Sequence, residues 1–413
     1  MSQKSYISPI EPSLLPNITD CELAMKYQST QFVIKTSKQC NLRCQYCYEF
    51  SELHKSDVMT MAQIESMYRH IESYYRSLKI PVAIHFIWHG GEPLLISPQF
   101  YWEALDLQAK IFGSNNYQIT NGVQTNLTVL DDERLLLLAE GFDRVGVSVD
   151  IFGDLRVYEN GRDSQSRVLA NMDRLREAEI PFGCITVLSK KNIDNVEQIY
   201  QFYRKLGLSA RLLPLHQTSN DGQNSGIEID PHSVLKAFKT IFDLWLADEE
   251  FVWIVPVIEM VTEVLNFYDP SGACKFYDKR EWEGINLVNI TGDLYGYADA
   301  YEIDLSYGNI FTTPLGDLFS GKKHEQSILA AEQRLEQTCV NCKFFGACCG
   351  YPIAENGYEY NELDPDGTIR CIVHKGMLQY IEYRLIEEGI INGGIVDLQR
   401  LKVVQVDREV QHV

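Results

Sequence analysis

The chain has 413 residues, 45% hydrophobic and 23% charged, an ordinary globular composition with room for one large domain and a smaller one. Its 37 Lys and Arg against 57 Asp and Glu give a net charge of −20, which argues against nucleic acid or an anionic membrane as the main partner, because both demand a basic surface. A neutral or basic peptide suits such a surface better.

Residues 1–30 hold Pro9, Pro12 and Pro16 without periodicity, and read as an arm on the surface. They show no basic segment leading into an apolar one, so no signal peptide is expected. Strands are expected over Gln31 to Thr36, Ala83 to Trp88, Tyr117 to Gln124, Arg144 to Val149, Phe182 to Leu188 and Ala210 to Leu215. Helices at Met61 to Leu78 and Pro98 to Phe112, and others centred on Leu135, Leu175 and Tyr200, lie between them. Six strands alternating with helices imply a parallel sheet with right-handed crossovers. A partial (β/α)6 TIM-type barrel over residues 31–220 is preferred to a flat doubly wound sheet, because every motif of interest follows a strand and so falls at the C-terminal mouth. Residues 221–268 read as a linker and bridging helices interrupted near Pro256. Glu259 and Glu263 within the most apolar helix argue against a membrane span. The cytoplasm is the expected compartment. Short strands and turns follow in residues 269–375, then a helix and tail in 376–413.

The first strand feeds Cys40-Asn41-Leu42-Arg43-Cys44-Gln45-Tyr46-Cys47. Three thiols at such short separations wrap one compact inorganic object. A [4Fe–4S] cube normally takes four thiolates, so three leave one iron open for an exogenous ligand. The competing reading is a partial zinc knuckle, which needs a fourth protein ligand and finds only His54 nearby. Eleven cysteines in a cytosolic chain otherwise signal metal or redox chemistry rather than disulfides.

This loop, with Tyr46 between its last two cysteines, resembles the signature of the radical S-adenosylmethionine (SAM) superfamily. The resemblance implies that SAM chelates the open iron and is cleaved reductively to a 5′-deoxyadenosyl radical. Gly90-Gly91-Glu92 after the second strand is similar to the family's motif for the methionine amino group. Gln124 and Asn126 at the end of the third strand, and Ser148 and Asp150 at the end of the fourth, fall where the family contacts SAM or substrate. Arg162 or Arg156 is the expected partner of the SAM carboxylate, bidentate pairing being the strength of arginine. The other reading of these strand-end residues is as caps and turns.

Cys339-x2-Cys342-x5-Cys348 followed by Cys371 supplies four more thiols. Structural zinc is one reading. The other is an auxiliary [4Fe–4S] cluster, because the surroundings, including Gly292 to Tyr295 and Tyr307 to Ile310, resemble the SPASM domain of radical SAM peptide and protein maturases. The full SPASM pattern has seven cysteines and two auxiliary clusters, and Tyr297 and Pro352 stand here in place of two of them. Cys274 is therefore expected to be a remnant of a lost first auxiliary site, Cys349 a spare thiol able to exchange with Cys348, and Cys21 and Cys184 core residues. The resemblance implies an enzyme that crosslinks or oxidises a residue of a ribosomally made precursor peptide, supplied with electrons by a flavodoxin or ferredoxin. Cyclophane-forming maturases are similar in the segment Phe86 to Pro93. Anaerobic sulfatase maturases, which form formylglycine, are the second choice and a noncatalytic zinc-ribbon protein the third. Sulfatase maturases carry an aspartate base near the position of Asp299, which makes Asp299 the candidate catalytic residue.

Overall fold

The computed structural model describes residues 28–113, 116–216, 226–269, 274–280, 284–296, 303–355, 361–365, 369–398 and 400–401. Seven strands run parallel: β1 (Gln28–Ser37), β2 (Val82–Gly90), β3 (Tyr117–Thr125), β4 (Arg144–Ser148), β5 (Gly183–Leu188), β6 (Ala210–Pro214) and β7 (Ile254–Val255). They lie side by side in chain order with no reversal. A doubly wound sheet reverses direction at a switch point. Without that reversal every right-handed crossover steps the same way, and the connecting helices all fall on one face. The structure is the partial barrel that the alternating pattern predicts, open because β1 pairs with a later strand instead of closing on β6.

The first helix shows how the sequence builds the outer layer. Thr60 and Gln63 form a capping box at the start of α1 (Met61–Leu78), satisfying donors that a bare helix end leaves orphaned. Ile64, Met67, Tyr68, Ile71 and Tyr75 recur at helical spacing and are buried. The Tyr68 ring meets Phe86 of β2 at 5.3 Å and Phe112, at the end of α2 (Pro98–Phe112), at 5.8 Å, both edge to face. Lys79 ends the helix in a left-handed conformation with φ of 56°. The same layer continues in α3 (Asp132–Glu140), α4 (Gln165–Glu177) and α5 (Val196–Leu206).

One element departs from the sequence reading. The stretch expected as one helix broken near Pro256 is α6 (Pro231–Ala247), then β7, then α7 (Val257–Tyr268). The break is wider because Ile254 and Val255 pair with Ala210 and Arg211 of β6. The start of the linker expected over residues 221–268 lies outside the described residues as far as residue 225, as does the N-terminal arm up to residue 27.

Short strands after residue 284 join the barrel sheet on its other edge. β8 (Ile285–Val288) runs parallel to β1, and β9 (Asp293–Gly296) and β10 (Gly308–Asn309) follow antiparallel, giving ten strands in one sheet. Asn286 donates to Thr30 at 3.3 Å inside that junction. Helix α8 (Leu315–Phe319), α9 (Lys322–Thr338) and α10 (Tyr351–Ala354) come next, and α11 (Val373–Glu387) packs on α6 and α7. A small second core of Tyr277, Ala331, Leu335, Cys339, Ile353, Ala354 and Ile369 lies apart from the barrel core. Among the described residues no helix is long and apolar enough to cross a membrane.

Candidate active site at the barrel mouth

The cysteine loop leaves the C-terminal end of β1 and is fastened by backbone bonds on both sides. Cys40 N–H donates to Leu53 O at 3.1 Å, Arg43 N–H to Val157 O at 2.7 Å and Gln45 N–H to Leu155 O at 2.9 Å. Polar hydrogens face the sulfurs: Leu42 N–H lies 3.4 Å from Cys40 Sγ, the Asn126 amide 3.7 Å from Cys40 Sγ and the Arg156 guanidinium 3.9 Å from Cys44 Sγ. Burial, then the neighbouring Glu92, push the Cys40 thiol up to about 12. Burial, then Cys44, push Cys47 to about 11, and burial raises Cys44 as well. Buried thiols of this kind ionise when a cation binds and releases their protons. The donor set and its polar surroundings fit an iron–sulfur cube. Its three sulfurs are near enough to perturb one another.

The Gly-Gly-Glu segment lies directly against the cysteine loop. A Cβ on Gly90, at φ of +131°, would sit 2.2 Å from Ser37 O, and one on Gly91 would sit 2.1 Å from Gln39 O. Both glycines therefore admit the backbone of the cysteine loop itself. Gly91 and Glu92 N–H groups donate to Ser37 O and Gln39 O at 2.8 Å each. The Glu92 carboxylate is buried and fully engaged: Oε1 accepts from Leu94 N–H at 2.8 Å and the Thr125 hydroxyl at 2.7 Å, and Oε2 from Asn126 N–H at 2.7 Å. Burial raises its pKa while these three donors pull it back.

Asp150 gathers the opposite wall. Its Oδ2 accepts from the Tyr46 hydroxyl at 2.5 Å and from Arg156 Nε at 2.7 Å, and its Oδ1 from Val187 N–H at 2.7 Å. The Arg156 guanidinium also lies 5.5 Å from the Tyr46 ring centre. Of the two arginines considered, Arg156 reaches the cysteine loop, whereas Arg162 is exposed and rests over Tyr158. Gln124 donates to Ser148 at 2.8 Å across β3 and β4. Asn126 binds Asn41 at 3.1 Å and accepts from Thr128 N–H at 3.0 Å. Asp299 and Cys21 lie outside the described residues.

A further buried charge lies in β1. Lys35, 1% exposed in its side chain, pairs with Glu49 at 3.2 Å and donates to the Tyr48 hydroxyl at 2.5 Å. Burial would lower its pKa, but Glu49 and Tyr48 raise it above the ordinary lysine value. A lysine inside an apolar strand directly before a cysteine loop was the available signal. His89 beside it accepts from Gly90 N–H at 2.7 Å, and burial, with Lys35, holds its pKa down at about 3.

The second thiol group is assembled around the small core. Burial, then Cys371, Cys342 and Cys349, push the Cys339 thiol up to about 12. Cys348 turns elsewhere, toward His374 and Glu263. Cys274 is exposed and Cys184 is buried in the barrel core.

Residues 34–203 match the family model of the radical SAM superfamily. The serine-type anaerobic sulfatase-maturating enzyme of Klebsiella aerogenes is 30% identical over 321 residues, 75% of this chain and 76% of the relative. That of Bacteroides thetaiotaomicron is 24% identical over 367 residues, 83% of this chain and 86% of the relative. Among solved structures, native anSMEcpe with bound AdoMet and Cp18Cys peptide superposes with a TM-score of 0.68 at 22% identity, covering 87% of this chain and 98% of that one. Streptococcus suis SuiB bound to S-adenosylmethionine gives 0.54 at 13% identity, covering 81% and 75%. The partial barrel and its three-thiol loop are those of a radical SAM enzyme. The chain belongs to the radical SAM superfamily and, within it, to the SPASM-type maturases. Both sequence relatives are sulfatase maturases, the kin that the motifs placed second.

Replacing Arg156 by Met leaves the Asp150 carboxylate, its side chain 0% exposed, without its cationic partner. Unfolding in denaturant should show a loss of about 3–5 kcal/mol. His89 generates a pH prediction. Its folded pKa of about 3 lies below its ordinary 6.5, so between those values the unfolded chain holds the extra proton and stability falls as the pH falls. In His89→Gln the slope of stability against pH in that window should be shallower by up to about 1.4 kcal/mol per pH unit. An unchanged slope would place His89 in a solvated setting.

Proposed function

We propose that the enzyme crosslinks or oxidises one residue of a ribosomally made precursor peptide. The observation that carries this reading is the joining of two thiol-bearing regions, the loop after β1 and the region after β8, through one continuous sheet. Cys40, Cys44 and Cys47 would hold the catalytic [4Fe–4S] cluster, and thiols of the Cys339–Cys371 region an auxiliary one. When bound, the cluster and SAM supply a 5′-deoxyadenosyl radical that takes a hydrogen atom from substrate. The chain's own part is to hold the loop rigid. Gly90 and Gly91 let β2 lie directly against it, and the Tyr46–Asp150–Arg156 bonds tie it to β4 and β5. Arg156 and Asn126 would direct N–H groups at cluster sulfurs, stabilising negative charge there. Crosslinking or oxidation also releases a proton, and Asp299 is the proposed base. The net charge of −20 favours a neutral or basic peptide.

A second reading, formylglycine formation on a sulfatase, is favoured by the sulfatase-maturating relatives. The two separate in one assay. Reconstituted enzyme is given SAM, dithionite in place of flavodoxin or ferredoxin, and either a synthetic sulfatase-motif peptide or peptides translated from short reading frames flanking the gene. The proposal predicts loss of two hydrogens from a flanking-frame peptide, with the sulfatase peptide unchanged and Asp299→Asn making 5′-deoxyadenosine but little product. An aldehyde on the sulfatase peptide, trapped by a hydrazide, would transfer the assignment to the second reading. No change in either peptide would overturn both.

A further inference from the structure

Two adjacent cysteines, Cys348 and Cys349, face different surroundings. Cys349 packs with Cys339 and Cys371 around the small core. Cys348 packs against the barrel core, as Cys342 also does, and differs from Cys342 in lying beside Glu263 and His374. Backbone bonds fix this divergence: Cys348 N–H donates to Phe344 O at 2.8 Å, while Cys349 O accepts from Tyr277 N–H at 2.9 Å. Cys342 stays with Cys339 through a tight turn, its N–H donating to Cys339 O at 2.8 Å.

On its side Cys348 meets Glu263 of α7 and His374 in the first turn of α11. One donor atom from each of the three lies within 4.8 Å of the others, the one such group among the described residues. His374 Nε2 is 2.6 Å from Glu263 Oε2, with side-chain exposures of 14% and 20%. We propose that Cys348, His374 and Glu263 form a separate mononuclear zinc site, and that Cys339, Cys342, Cys349 and Cys371 are the four thiolates of the auxiliary cluster.

The chemistry of the donors supports the division. One thiolate, one imidazole and one carboxylate are a mixed set that borderline-soft zinc accepts, with a fourth position left for water. A tetrahedral ion with donors at roughly 2.0–2.1 Å needs its nitrogen and oxygen ligands about 3.3 Å apart. The 2.6 Å contact therefore has to open by about 0.7 Å to admit the ion, which side-chain rotation can supply. The ion would pin α7, the cysteine turn and α11 to one another, three segments far apart in sequence. This inference rests on the reading that the Cys339 region holds an iron–sulfur cluster, and its test reports on the two claims separately.

Enzyme purified and reconstituted anaerobically, then equilibrated with zinc and desalted, is analysed for iron and zinc. Wild type should carry about eight irons, two cubes' worth, and one zinc. His374→Gln and Cys348→Ser should lose the zinc and keep the iron, and Cys349→Ser should lose about four irons and keep the zinc. Zinc-edge X-ray absorption on wild type, which needs no variant to fold, should show one sulfur at about 2.3 Å with nitrogen and oxygen neighbours. Loss of about four irons from Cys348→Ser with none from Cys349→Ser, or wild type without zinc, would overturn the inference. Zinc surrounded by four sulfurs would instead overturn the auxiliary-cluster reading.

Discussion

The mouth of the barrel depends on the carboxylate of Asp150. It is wholly buried, and its two oxygens bind a tyrosine of the cysteine loop, an arginine from the segment after β4 and a backbone N–H of β5. An ionised group in that position is tolerated only when paired and hydrogen-bonded. That requirement runs in both directions: the loop cannot move without stranding the charge, so its sulfurs are held in place before any cluster arrives. Glu92 repeats the device on the facing side, with three donors from β3 and its own turn. Lys35 and Glu49, on either side of the loop in sequence, add a second buried ion pair.

These pairs cost desolvation and are poor sources of stability compared with the apolar layer around Phe86, Tyr68 and Phe112. Their value is positional. The barrel and its helices present three thiols and their N–H donors at the C-terminal ends of β1, β3 and β4, the end where barrel enzymes keep their sites. The junction of β8 with β1 continues the barrel sheet into the segment that precedes the second thiol region.

Much of this was legible in the sequence because it follows from local pattern. The helix at Met61–Leu78 shows in its apolar spacing, and the six strands in their alternation with helices. The cysteine spacing identified the loop. What the sequence hid was the partner of each polar residue, since partners arrive from distant segments. Glycines 90 and 91 read as part of a ligand motif, and the sequence does not show that they also admit the neighbouring backbone of the cysteine loop. Arg156 and Arg162 are equivalent in composition and differ only in which side of a turn they occupy. Lys35 in an apolar strand carried a signal that periodicity alone discards. Cys348 and Cys349 are neighbours in the chain, and only the fold separates their surroundings.

The account's central claim is that Cys40, Cys44 and Cys47 carry the radical chemistry independently of the other thiols. The most direct measurement compares wild type with a variant in which all three are alanine, both reconstituted anaerobically and given SAM and dithionite. The account predicts that the variant contains about four fewer irons, the content of one cube, keeps its auxiliary cluster and makes no 5′-deoxyadenosine. Undiminished 5′-deoxyadenosine from the variant would contradict it.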